Sequence, residues 1–168
     1  MEAIKLREQL VNVGKHFNAC AEGIAELALS TTKEEIAQCF IEYIDFCLAN
    51  DYPSNSFLKR NFRQELEDIG IYIDRTITLK NGKKIVFLGE CFGNVDMDDY
   101  SVTMIWVKHE SKVNIKARGN ARIMVDALDH ADIVVDASEG ASVTVNLYGN
   151  ATCQGATKVV QKGITYEL

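Results

Sequence analysis

Three histidines, five cysteines and a set of spaced carboxylates are the side chains of this chain most suited to chemistry. His109 and His130 fall at the turn positions of two ten-residue units, and His16 lies far upstream. A metal site would need such histidines stacked beside carboxylates or thiols. The spacing demands no such stack, so solvated turn histidines are expected. Cys20, Cys39, Cys47, Cys91 and Cys153 are odd in number and contain no CxxC pair. That pattern fits neither a disulfide framework nor a zinc site, and it predicts free buried thiols in a reducing cytoplasm. Asp126, Asp132 and Asp136 point outward on neighbouring units. Paired carboxylates can move protons or hold calcium. Here they read as a solvated face balanced in part by Lys116 and Arg122. Ser101 and Ser111 occupy a small-residue position and read as corner residues rather than nucleophiles. Gly119, Gly140 and Gly149 lie in strand turns, so none opens a phosphate-binding loop before a helix. With no nucleophile–base pair legible, the expectation is a non-enzymatic protein without cofactor or metal.

What positions these residues is a ten-residue repeat from Asn81 to Gly155. Its first position reads Cys91, Ser101, Ser111, Ala121, Ala131, Ala141, Ala151, all small. The third carries Thr103, Val113, Ile123, Ile133 and Val143; the fifth is Ile or Val from Ile85 to Val145. Apolar residues at positions one, three, five and seven have the period of a strand with one buried face. Pairs such as Gly119-Asn120, Asp129-His130 and Gly149-Asn150 then turn the chain. A fixed repeat length marks stacked units that bury their inner faces against neighbours. The favoured fold is a β-solenoid in which two or three decads close a coil and the small residue sits inside a corner. An antiparallel β-meander is the alternative, and it explains the turns but not the small residue at every first position.

Upstream, the chain reads as a helical head of about three helices over residues 1–70, followed by the β-repeat domain over 71–168, an α+β chain. Residues 3–29 carry an imperfect stripe of Ile4, Val11, Phe17, Ile24 and Leu27. Thr32 with Glu35 forms a capping box for a second helix. Asn50-Asp51-Tyr52-Pro53 stops it, and Ser54 caps a third helix that ends at Gly70. Without a Gly/Ser/Pro linker, the two regions are expected to pack as one body. Val159-Val160 and Ile164-Thr165-Tyr166 read as a terminal strand pair.

Net charge is −6, and the acidity sits in the first seventy residues, with seven basic against twelve acidic side chains. That weighs against a nucleic-acid surface there. Lys59, Arg60 and Arg63 could touch phosphate, but Glu65, Glu67 and Asp68 follow at once. Charges throughout the first thirty residues leave no signal-peptide core, and no run is apolar enough to span a membrane. A cytoplasmic location is expected.

The outward sixth position holds Val86 and Trp106 where other decads carry charge or Asn146. With outward Met104 and Met124 they form an apolar strip, to be covered by the head or by another chain. Met104, Trp106 and Met124 are the candidate interface, with Trp106 as anchor and a homodimer or homotrimer as the expected assembly.

The segments Tyr43-Ile44-Asp45-Phe46-Cys47-Leu48, Tyr52-Pro53-Ser54-Asn55 and Gly70-Ile71-Tyr72-Ile73-Asp74 resemble small uncharacterised proteins of prophages and mobile elements of Bacteroidales bacteria. The likeness extends to Val107-Lys108-His109 and Asn146-Leu147-Tyr148-Gly149. It implies a helical head before a decad-repeat tail, and an accessory protein of a phage or mobile element, virion-associated or inhibiting a host protein. It assigns no functional residue. The leading expectation is therefore a binding or assembly module that contacts itself or a host protein. A DNA-binding regulator oligomerised by the repeat is the alternative.

Overall fold

A computed structural model describes residues 1–166. The chain divides into two compact units, one ending at Ile69 and one beginning at Gly70.

The second unit is a two-sided parallel β-solenoid. Its strands are β1 Ile71–Ile73, β2 Thr76–Lys80, β3 Lys84–Leu88, β4 Phe92–Met97, β5 Val102–Val107, β6 Lys112–Ala117, β7 Arg122–Ala127, β8 Asp132–Ala137, β9 Ser142–Leu147, β10 Thr152–Gln154 and β11 Lys158–Gln161. Odd strands form one sheet, β1-β3-β5-β7-β9-β11, and even strands the other, β2-β4-β6-β8-β10. Pairing is parallel throughout, with Val113 opposite Ile133 and Ile105 opposite Val125. From β3 to β10 partners stand twenty residues apart, so two decads close each of these coils, while the shorter first and last coils pair Ile71 with Val86, Thr76 with Phe92 and Thr144 with Lys158; the meander is excluded.

The ladder runs through the corners. Arg122 N donates to Ser101 O at 2.8 Å and Asn120 N to Asp99 O at 2.7 Å, each to the coil before. The ninth residue of every decad from Gly89 to Gly149 has φ between 57° and 76°. This left-handed backbone explains the glycines and aspartates there, since a Cβ crowds the carbonyl in that region. The first position then turns inward. Ser111, Ala121 and Ala131 are wholly buried. The Ser111 hydroxyl is satisfied by accepting from Cys91 N and donating to Gly89 O, which makes serine tolerable in an apolar corner. The core between the sheets is filled by Val95, Ile105, Ile115, Val125, Ile133 and Val145. Gly93 breaks the β-branched third position because a Cβ there would stand 2.7 Å from the Phe87 ring.

The head is more divided than the sequence suggests. Five helices replace the expected three: α1 Glu2–His16, α2 Ala21–Leu29, α3 Lys33–Glu42, α4 Ile44–Asn50 and α5 Asn55–Asp68. The first break falls at Asn18, with φ +58°, before Cys20 caps α2 by accepting from Gly23 N. The second is a single residue, Tyr43, at φ −105° and ψ 32°. The buried face of α1 is Leu6, Leu10 and Gly14, while Ile4 and Phe17 of the expected stripe are exposed. The Thr32–Glu35 capping box and the Ser54 cap form as expected. Gly70 follows α5 at φ +89°, where a Cβ would lie 2.5 Å from Lys84 O.

One terminal expectation fails. β11 pairs with β9, but Ile164 to Tyr166 form no strand. Instead Lys162 N donates to Leu147 O, and Tyr166 OH donates to Asp126 Oδ2 at 3.0 Å. The Tyr166 ring meets Tyr148 edge-on, so this segment lies on the outer face of the odd sheet.

Candidate interaction surface

Because two decads make a coil, each outward column between β3 and β10 is drawn from residues twenty apart. On the odd sheet the fourth-position column reads Lys84, Met104, Met124 and Thr144, and the sixth reads Val86, Trp106, Asp126 and Asn146. The three residues expected at an interface therefore share one face on adjacent strands. They do not share one environment. Met124 is 45% exposed and Met104 half-buried, whereas Trp106 is only 4% exposed and Val86 wholly buried. Trp106 is thus a covered side chain and not a displayed anchor.

The reachable part of the strip borders a shallow groove. Tyr100 and Val102, both strongly exposed, join Met104 and Met124 along it. Lys83, Lys84 and Arg122 also line it, and among the described residues no carboxylate does. Arg122 is held in place by its guanidinium, which donates to Gly140 O at 2.6 Å and to Ala121 O at 3.3 Å. The groove is an apolar floor with a cationic rim.

No family model, curated protein or solved structure matches this chain.

The residues that looked suited to chemistry disperse. Asp132 and Asp136 lie on the even sheet and Asp126 on the odd one, so the three do not share a face. Asp126 is buried, and it accepts from Asn146 at 2.7 Å as well as from Tyr166. The reading of it as a solvated carboxylate is corrected accordingly. Asp132 accepts from Thr152 at 2.7 Å, one coil away. His109 Nδ1 accepts from Gly89 N, and His130 Nδ1 stands 3.1 Å from Glu110 Oε1, so both serve coil-to-coil contacts. Among the described residues no cluster of His, Cys, Asp and Glu could hold a metal. Lys108 is buried and pairs loosely with Asp129 at 3.9 Å.

On the even sheet, charges alternate up the stack as Asp96, Lys116 and Asp136. Arg118 adds an ion pair to Asp96, its Nη2 donating to both carboxylate oxygens at 2.8 and 3.0 Å. The Asn81 amide donates to Asp98 at 2.6 Å, and this bond, with Lys80 beside it, holds the Asp98 carboxyl below the usual carboxylate range. Acidic and basic side chains on this sheet therefore interleave and neutralise one another. The odd sheet lacks this pattern around the groove, which sets that face apart.

All five cysteines are free. Cys20 is exposed, Cys153 half-buried and the other three buried. Burial pushes the Cys47 thiol up to about 12 and raises Cys39, Cys91 and Cys153. The expectation of buried thiols fails at Cys20 and is met only in part at Cys153.

The sequence reading missed Tyr100, Val102 and the cationic rim. The columns at spacing twenty would have exposed them, since Val102 and Arg122 are neighbours only when two decads make a coil.

Proposed function

We propose that this chain is a non-enzymatic protein-binding module whose docking surface is the odd-sheet groove. The observation that supports it best is the row of exposed Tyr100, Val102 and Met124 and half-buried Met104, with Lys83, Lys84 and Arg122 beside it and no acid in the lining among the described residues. Elsewhere on the solenoid, outward charges are balanced by neighbours, as in the Asp96–Lys116–Asp136 column. An apolar patch on a rigid ladder is a surface suited to a partner. Its cationic rim favours an apolar segment carrying carboxylates, from a second copy of this chain or from a host protein. With the resemblance to prophage and mobile-element proteins, the role is that of an accessory factor acting through protein contacts.

Sedimentation velocity and site-directed cross-linking from Val102 test this reading. The wild type should sediment as a dimer or trimer, or cross-link to one host protein, and the Met104→Asp/Met124→Asp pair should abolish either behaviour with the fold intact. A monomer that forms no Val102 cross-link in its host would refute it.

A further inference from the structure

The helical unit contains a concavity that plays no part in the groove. It has a volume of about 420 Å³ and is walled by side chains of all five helices, among them Leu10, Ile24, Phe40, Cys47 and Phe62. Apolar cavities of about 150 Å³ already take up benzene-sized guests, and pockets for drug-sized ligands begin near ~300 Å³. This space is therefore large enough to hold a small molecule.

Its polar chemistry restricts the guest. Tyr52 OH lies in the wall but is occupied, donating to Leu10 O at 2.6 Å. Tyr43 OH likewise donates to Glu26 at 2.8 Å. The lining contains no lysine, arginine or histidine, and the charged residues in it are Glu42 and Asp45, both exposed. A buried anion would be left without a counter-charge, and carboxylates at the mouth would repel it. Cys39 and Cys47 add two buried, desolvated thiols to the wall. The exposed residues Asn18 and Cys20, on the turn between α1 and α2, mark the opening.

We infer that the helical unit binds an uncharged, mainly hydrocarbon small molecule in this cavity, and that it discriminates against carboxylates of the same chain length. The inference is independent of the groove, which belongs to the other unit.

The test uses the full chain and the neutral fluorescent probe N-phenyl-1-naphthylamine. The probe should bind one-to-one and be displaced by 1-dodecanol at concentrations roughly tenfold below those needed for dodecanoate. Ala37→Phe fills the cavity from α3 and should weaken probe binding by roughly tenfold or more with helical circular dichroism retained. Ala19→Leu narrows the mouth and serves if Ala37→Phe does not fold. Met104→Asp, on the solenoid, should leave probe binding unchanged. Absence of probe binding, equal displacement by dodecanol and dodecanoate, undiminished binding in a folded cavity variant, or loss in Met104→Asp would each overturn it.

Discussion

Gly93 and Phe87 show how single residues fit in this solenoid. The Phe87 ring occupies the volume that a third-position side chain would take, and glycine at 93 leaves it free. Gly93→Val should therefore overpack the core and cost about 1–3 kcal/mol. Phe87→Ala combined with Gly93→Val should recover part of the loss, and a double-mutant cycle by urea denaturation measures the coupling. The thiols provide a second residue-scale expectation. The pKa values of Cys39, Cys47, Cys91 and Cys153 are raised in the folded chain, so below the unfolded value near 9 their contribution to stability is fully present. As pH rises from there towards about 12, the unfolded chain ionises first and stability falls. Thermal melts from pH 8 to 11 should show this decline, and Cys47→Ala should flatten it. A melt that strengthens with alkali would contradict the burial of Cys47. Iodoacetamide labelling should modify Cys20 well before Cys47, because only the thiolate attacks and Cys20 alone is exposed.

At the level of elements, the corners decide the fold. Ala131 sits fully buried at the first position of its decad, in the corner before β8, while Asp136 on β8 faces solvent. Ala131→Leu should cost about 1–3 kcal/mol or more by overpacking, and Asp136→Leu less than about 0.5 kcal/mol. Equal melting temperatures would contradict the inward assignment. Trp106→Asp should destabilise by about 3–5 kcal/mol, since it replaces a covered ring with a charge beside Asp126. Its readout is the denaturant midpoint rather than a change in assembly.

These elements were unevenly legible. The strands of the repeat could be read because alternation and a small corner residue recur without a slip. The number of decads per coil could not, because both sheets use the same inward pattern and only the outward columns distinguish them. The breaks at Asn18 and Tyr43 in the head lack the usual glycine or proline signal. Tyr43 simply departs from helical angles between two helical segments. The burial of Trp106 was also hidden, since alternation tells which face a side chain takes but not what lies over that face.

For the molecule as a whole, the two units have separate chemistries. The head is the acidic part by composition, and it encloses the apolar cavity. The solenoid has nearly balanced charges arranged as ladders, and it carries the groove. Size and disorder do not account for the gaps in the sequence reading at this scale. Both candidate sites are assembled from residues far apart in the chain, Leu10 with Leu66 in one and Lys84 with Met124 in the other. No local motif reports such a juxtaposition.

The two-decad coil also gives the gene a phase. Removing residues 121–140 should delete one full coil and leave every later strand on its present sheet. Removing 121–130 alone would keep the inward pattern, and hence the core, yet would transfer each downstream strand to the opposite sheet. The Met104 column would then continue into Val134 in place of Met124, and the surfaces would be spliced out of register although the interior still packed. Both deletions should fold, with similar circular dichroism, but only the twenty-residue one should preserve the continuation of Met104 into a fourth-position Thr144. Length variation in such a chain is therefore expected in steps of twenty residues, a quantum set by the surface and not by the core.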